Sequence, residues 1–270
     1  MEKMNNGCIA SPKTLKSRIQ NGEVLYGVSL LSFSPTVAEI LGYVGYDFVL
    51  IDMEHGPGGI SDALPCIHAL AATQTAAIFR VPENSPVWVR KAIDLGAQGI
   101  IFPMIEDPES ATKAVLYCRY PPAGVRAVAG PIVRASKYGL DPDYPDRTSK
   151  ELLIVCQIES EAGVKNVKEI ASVDGVDMIM VGPLDLSASI GCLTNPKNEK
   201  VKMMIDEVEK TVLELERKDG GGPYLGRFGT ASDGPQQYQN GGYRLIRVNV
   251  DVILFKNACL EDIKRFKSAK

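Results

Sequence analysis

Short apolar, β-branched runs alternate along this chain with longer stretches of helical periodicity, and eight such pairs follow one another. That alternation is the sequence form of a parallel sheet whose strands are joined by crossover helices. The runs predict strands at 26–31, 47–52, 76–81, 99–103, 152–158, 177–181, 224–228 and 243–248. Helices are predicted over 35–44, 60–72, 86–95, 108–118, 161–172, 199–218, 234–239 and 251–266. Several open on Pro or an acidic residue, as first helical turns prefer. Strands buried on both faces are continuously apolar rather than alternating, and Phe48-Val-Leu-Ile51, Ile100-Ile-Phe102 and Met178-Ile-Met-Val181 have that form. Eight units in about 250 residues fit a closed (β/α)8 TIM barrel. An open doubly wound sheet is the rival, but no Gly-x-Gly-x-x-Gly turn follows the first strand. The chain therefore reads as a single domain, 1–270, with residues 1–14 expected to be a flexible N-terminal segment. One stretch breaks the rhythm. Between residues 120 and 150 lie Pro121, Pro122, Pro131, Pro142 and Pro145, and a loop this long predicts a lid or a partner contact.

Composition narrows the partners. Of the 270 residues, 45% are hydrophobic, and 30 Lys and Arg against 33 Asp and Glu leave a formal charge of −3 with no basic run. Nucleic acid and anionic membrane are thereby poor partners. No stretch approaches the roughly 18 apolar residues of a membrane span, and the first eight residues lack the apolar core of a secretory signal. A cytoplasmic location is expected. The six cysteines stand singly, with no Cys-x-x-Cys pair, and read as reduced packing residues. Only His55 and His68 are available as imidazole ligands, so any metal here falls to carboxylates.

In a parallel barrel the active site lies at the C-terminal ends of the strands, and the polar residues there are few. They are Asp52-Met-Glu-His-Gly-Pro57, Arg80, Gln157-Ile-Glu159 and Gly182-Pro-Leu-Asp-Leu-Ser187. Glu159 and Asp185 are one strand-helix repeat apart, so they emerge on neighbouring strands about 4.8 Å apart. Two such carboxylates can share Mg²⁺ or Mn²⁺; capping of the following helices fits the same positions equally well. His55 precedes Gly56-Pro57 and is placed at the mouth as a general base, with Asp52 or Glu54 able to orient the ring; a locally satisfied imidazole is the alternative. His68, within an apolar helical pattern, is expected to pack on the barrel exterior. Arg80 ends an apolar strand and needs an anionic partner, either a substrate carboxylate or enolate, or the Glu159 and Asp185 pair. Gly182-Pro183 offers backbone amides at a helix start, a common seat for an anion.

These segments, together with Phe79-Arg80, Phe102-Pro-Met104 and Arg119-Tyr-Pro-Pro-Ala-Gly-Val-Arg126, occur in the order and spacing of one family. The chain resembles the metal-dependent class II pyruvate aldolases of the HpcH/HpaI family, over roughly residues 15–266. The resemblance implies a barrel of the phosphoenolpyruvate/pyruvate type, assembled as a homohexamer with the last helix swapped onto a neighbour. It implies Glu159 and Asp185 as metal ligands, with Mg²⁺ the first choice and Mn²⁺ or Co²⁺ as substitutes. It assigns Arg80 to the pyruvate oxygen and the enolate, His55 to the proton, and Asp52 and Asp94 to carboxylates linked to that histidine. Gln157 and the amides around Gly182, Leu184 and Asp185 match pyruvate-binding positions. The implied reaction is retro-aldol cleavage of a 4-hydroxy-2-oxo acid to pyruvate and an aldehyde through a metal-bound enolate. The alternative is an oxaloacetate decarboxylase or enolate-coupling enzyme resembling macrophomate synthase. The seventh and eighth units, Gly220–Gly229 and Val248-Asn-Val-Asp251, depart from the family's usual residues and leave the acceptor open.

Overall fold

A run that is apolar on both faces is stable only between two apolar layers, and the first six of the eight runs are found there, while the last two are only partly buried. The computed structural model describes residues 13–195, 198–215, 222–229 and 234–267. Strands β1 (Leu25–Leu30), β2 (Phe48–Asp52), β3 (Ala76–Arg80), β4 (Gly99–Phe102), β5 (Leu153–Ile158), β6 (Met178–Val181), β7 (Tyr224–Phe228) and β8 (Tyr243–Val250) pair in parallel in sequence order. β8 closes on β1, completing the (β/α)8 barrel that the sequence predicts. Alternate side chains turn inward. Phe48, Leu50, Ile78, Ile101, Val155, Met178, Met180 and Leu245 fill the lumen, while Val49, Ile51, Phe79, Ile100, Phe102, Ile154 and Ile179 pack outward against helices.

The helices are α1 (Leu15–Gln20), α2 (Pro35–Val44), α3 (Ile60–Ala72), α4 (Pro86–Leu95), α5 (Pro108–Cys118), α6 (Tyr144–Glu151), α7 (Glu161–Lys165), α8 (Val167–Ala171), α9 (Pro183–Ser189), α10 (Glu199–Glu214), α11 (Pro235–Asn240) and α12 (Asp251–Lys267). α1 falls where the sequence shows no strong period. Its Leu15 and Ile19 join the lumen cluster, so this short helix plugs the foot of the barrel, tied down by Arg18 to Asp47 and Lys16 to Asp177. The predicted helix 161–172 breaks at Asn166 into α7 and α8. Of the expected flexible segment 1–14, residues 1–12 lie outside the described residues, as do the end of the predicted helix 199–218 and Gly220. His68 faces solvent on α3 rather than packing.

The 120–150 segment connects the end of α5 to the start of β5, which places it at the foot. It is therefore not a lid over the mouth. It contains α6 and is pinned to α4: Arg126 bonds Asp94 at 2.7 Å, and Arg134 donates to the Leu95 carbonyl at 2.7 Å. α12 behaves differently from the other crossover helices. After buried Asp251 every described residue of it is exposed, including Phe255 and Phe266. Among the described residues no helix is long and apolar enough to cross a membrane.

Candidate active site at the barrel mouth

Arg80 is the last residue of β3 and Asp52 the last of β2, and the two are register partners. Their side chains point the same way and form a buried fork: Nε donates to Asp52 Oδ1 at 3.0 Å and Nη2 donates to Oδ2. Glu54 Oε2 lies 2.9 Å from Nη1, an ion pair not aligned as a hydrogen bond, which leaves that oxygen without a hydrogen-bond partner. Burial alone would lower the pKa of Arg80. The hydrogen bonds and charge of Asp52, with Glu54 and Glu159 beside it, outweigh burial and hold the guanidinium above its ordinary value. The anionic partner that Arg80 required is thus Asp52 with Glu54, not the Glu159 and Asp185 pair.

Glu159 follows β5 and is buried. Its Oε2 accepts the Met104 amide at 2.9 Å, and Oε1 accepts from the Gln157 side-chain amide. Met104 has φ +50°, a left-handed conformation uncommon outside glycine, and in it the Met104 amide donates to the carboxylate. Burial raises the Glu159 pKa to about 7, and the charges of Glu54 and Asp185 add to the rise. Gly182 is essential to this packing. A Cβ built there would stand 2.2 Å from Glu159 Oε1, so only glycine lets β6 end against the carboxylate. Asp185 lies in the first turn of α9, exposed at the rim. The side-chain oxygen of Gln157, Oε1, is buried with no hydrogen-bond partner.

His55 stands on the rim with its ring 56% exposed and Nε2 4.0 Å from Glu54 Oε2. Asp52 reaches His55 only through its backbone, accepting the amide at 3.3 Å, so Asp52 shapes the turn and holds Arg80 rather than the ring. Asp94 is not brought to His55 at all. It lies at the C-terminal end of α4, at the foot of the barrel, paired with Arg126. Gly182 also differs from expectation: its amide donates to the Ile158 carbonyl at 3.0 Å and is not free for an anion. The Leu184 and Asp185 amides do lie in the first turn of α9, where the N-cap Gly182 supplies no side-chain acceptor.

One wall of the mouth went unread in the sequence. Phe228 of β7 and Arg247 of β8 are register partners, and the Arg247 Cζ sits 4.5 Å from the Phe228 ring centroid. Arg80 reaches the same ring at 5.8 Å. The string Arg-Leu-Ile-Arg-Val reads as an ordinary alternating strand, so sequence gave no sign of which arginine turns inward.

A closed parallel barrel whose mouth gathers a pinned arginine, clustered carboxylates and a rim histidine has the form of an enzyme with its active site at the strand ends. Residues 25–258 match the HpcH/HpaI aldolase/citrate lyase family, and the chain belongs to it. It is 34% identical over 247 residues to a hydroxypyruvate/pyruvate aldolase of Chromohalobacter salexigens, covering 92% of this chain and 95% of that protein. An HpcH/HpaI family structure from Burkholderia cenocepacia superposes with a TM-score of 0.85 at 36% identity, covering 94% of this chain and 98% of the other. Macrophomate synthase superposes at 0.79 with 26% identity, over 94% and 88% of the two chains. The chain is accordingly a carbon–carbon lyase of the pyruvate aldolase class.

Proposed function

We propose that this enzyme cleaves a 4-hydroxy-2-oxo acid to pyruvate and an aldehyde, with Glu159 and Asp185 as ligands of a divalent cation. Mg²⁺ is the first candidate, with Mn²⁺ or Co²⁺ as substitutes. The observation that carries this reading is the Glu159 carboxyl, buried beside Glu54 and Asp185 with its pKa pushed up to about 7. A buried carboxylate with like charges beside it is costly to ionise until a cation joins them. The donor set fits: two carboxylates and the unpartnered side-chain Oε1 of Gln157 are hard oxygens. Among the described residues no three His, Cys, Asp or Glu gather to hold an ion by themselves, so water and substrate would have to complete its coordination. When bound, such an ion supplies Lewis-acid polarisation of the 2-oxo acid.

Arg80, fixed in advance by Asp52 and Glu54, offers its remaining N–H groups where negative charge develops on the 2-oxo oxygen, at no reorganisation cost. Gln157 and the first-turn amides of Leu184 and Asp185 orient the substrate carboxylate. His55 takes the proton of the C4 hydroxyl. The C3–C4 electron pair then passes to C3, the aldehyde carbonyl forms, and the pyruvate enolate is reprotonated at its methyl carbon. The decisive experiment follows deuterium uptake into the pyruvate methyl group in heavy water by NMR, with Mg²⁺ and with chelator. Exchange that needs the cation is expected; no exchange in the Mg²⁺-loaded enzyme would overturn the aldolase reading.

The likeness to macrophomate synthase favours one second reading, decarboxylation of oxaloacetate to the same enolate. Release of carbon dioxide from oxaloacetate without aldehyde turnover would select it. The exposed apolar residues of α12 support a further proposal, a homohexamer in which this helix packs on a neighbouring copy.

A further inference from the structure

We propose that the foot of the barrel carries a second binding site, for a small phosphate-bearing molecule held between Arg134 and Lys13, separate from the mouth and independent of the aldolase reading. A cavity of about 330 Å³ opens there, beside the starts of β2, β3 and β4. Its wall is built by α1, the end of α3, the first residues of β3, the turn from α4 into β4 and the 120–150 segment. Three cations, Lys13, Arg18 and Arg134, line it with a single carboxylate, Asp47. Asp47 is fully engaged: Oδ1 accepts from Arg18 at 2.7 Å and Oδ2 from the Tyr26 amide at 2.9 Å. Lys13 and Arg134 form no ion pair among the described residues.

Arg134 is held in place without being neutralised. Its Nη1 donates to the Leu95 carbonyl at 2.7 Å, and Gly96, at φ +109°, passes so close that a Cβ there would stand 3.0 Å from the same nitrogen. A side chain at Gly96 would strain the turn and crowd the guanidinium together. The other N–H groups of Arg134 have no acceptor among the described residues and keep access to solvent. Burial lowers the Arg134 pKa and only Tyr138 opposes it, so no carboxylate stands close enough to compensate. A half-buried guanidinium fixed by one carbonyl gains from a charge-assisted pair with an oxyanion. Gln98, whose Oε1 accepts the Leu15 amide at 3.2 Å, adds a side-chain amide to the same wall. The cavity stands at the lower end of small-molecule pockets, roughly 300–1,000 Å³, with room for a phosphate and a short carbon chain. Two cations without partners match the dianion of a phosphate monoester better than a lone carboxylate. The two sites do not overlap. Ala76 at the start of β3 lines the cavity, while Arg80 at its end stands at the mouth, roughly 13 Å along the strand.

The test titrates the full-length enzyme with glycerol 3-phosphate and with inorganic phosphate, following phosphorus NMR line broadening and the thermal midpoint, against sodium chloride at equal ionic strength. Binding is expected at about millimolar concentration or below, with a rise in midpoint that chloride does not reproduce. Saturating pyruvate and Mg²⁺ should leave the affinity for glycerol 3-phosphate unchanged. Lys13→Met and Arg134→Met should each weaken it by at least about fivefold, and pyruvate methyl exchange should stay as in the native enzyme. Loss of phosphate binding in the presence of pyruvate would move the ligand to the mouth and overturn the inference. Native affinity in Lys13→Met, whose exposed side chain the fold does not need, would overturn it too. So would a response to phosphate no greater than that to chloride, which requires no variant to fold. Equal affinity for succinate would overturn the phosphate assignment.

Discussion

Gly182 and Glu159 are interlocked, and the consequence is testable at one atom. Gly182→Ala puts a methyl group where Glu159 Oε1 now lies, so the carboxylate must swing away from the Met104 amide. Divalent-ion affinity is expected to fall by at least tenfold, read by Mn²⁺ titration with electron paramagnetic resonance, while the thermal midpoint moves by only a few degrees. The Glu159 pKa carries a second expectation. The folded protein retains this proton up to about pH 7, whereas an unfolded chain loses it near 4.5. Between those values the folded state binds more protons, so metal-free stability falls as pH rises through the window, by at most about 3 kcal/mol, and then levels off. Urea denaturation in chelator at several pH values measures the slope. Saturating Mg²⁺ should abolish or reverse it, because the cation binds the ionised form. The ends of the strands were legible at this scale: Asp52, Glu54, His55, Arg80, Gln157, Glu159 and Asp185 all lie at the mouth. The partnerships were not, since register decides them. Arg80 finds Asp52 because the two are cross-strand neighbours, and Asp94 finds Arg126 because both sit at the foot.

Among the elements, the turn from β8 into α12 has the most at stake. Asp251 is buried, and its carboxylate accepts the Leu31 and Ser32 amides at 3.0 Å each and the Val252 amide at 2.8 Å. One side chain thus secures the exit of β1 and the start of the last helix. Asp251→Ala leaves three amides without their acceptor and is expected to cost about 2–3 kcal/mol in urea denaturation, against under 1 kcal/mol for removal of an exposed charge such as Glu207. Strands were easy to read because continuous apolar runs have few other uses in a chain of this composition. The short helices were hidden. α1 and α9 have six and seven residues, too few for a period to emerge, and they are helical because of what they pack on. Arg247 was missed for a related reason: a register shift between β7 and β8 accompanies its inward turn, and no pattern of residue types announces such a shift.

For the whole molecule, the exposed flank of α12 and the apolar residues of the foot segment, Val128, Ile132 and Leu140 among them, suit burial in an assembly. On the homohexamer proposed above, Phe255→Glu is expected to reduce the mass measured by light scattering below that of the native assembly; an unchanged mass would remove α12 from the interface. The barrel mouth holds one more consequence. Asp52, Glu54, Glu159 and Asp185 bring four formal negative charges, and Arg80 and Arg247 return two. The deficit equals one divalent ion. On the metal-dependent reading proposed above, with Glu159 ionised, that arithmetic predicts an order of arrival in binding kinetics, the ion first and the 2-oxo acid second.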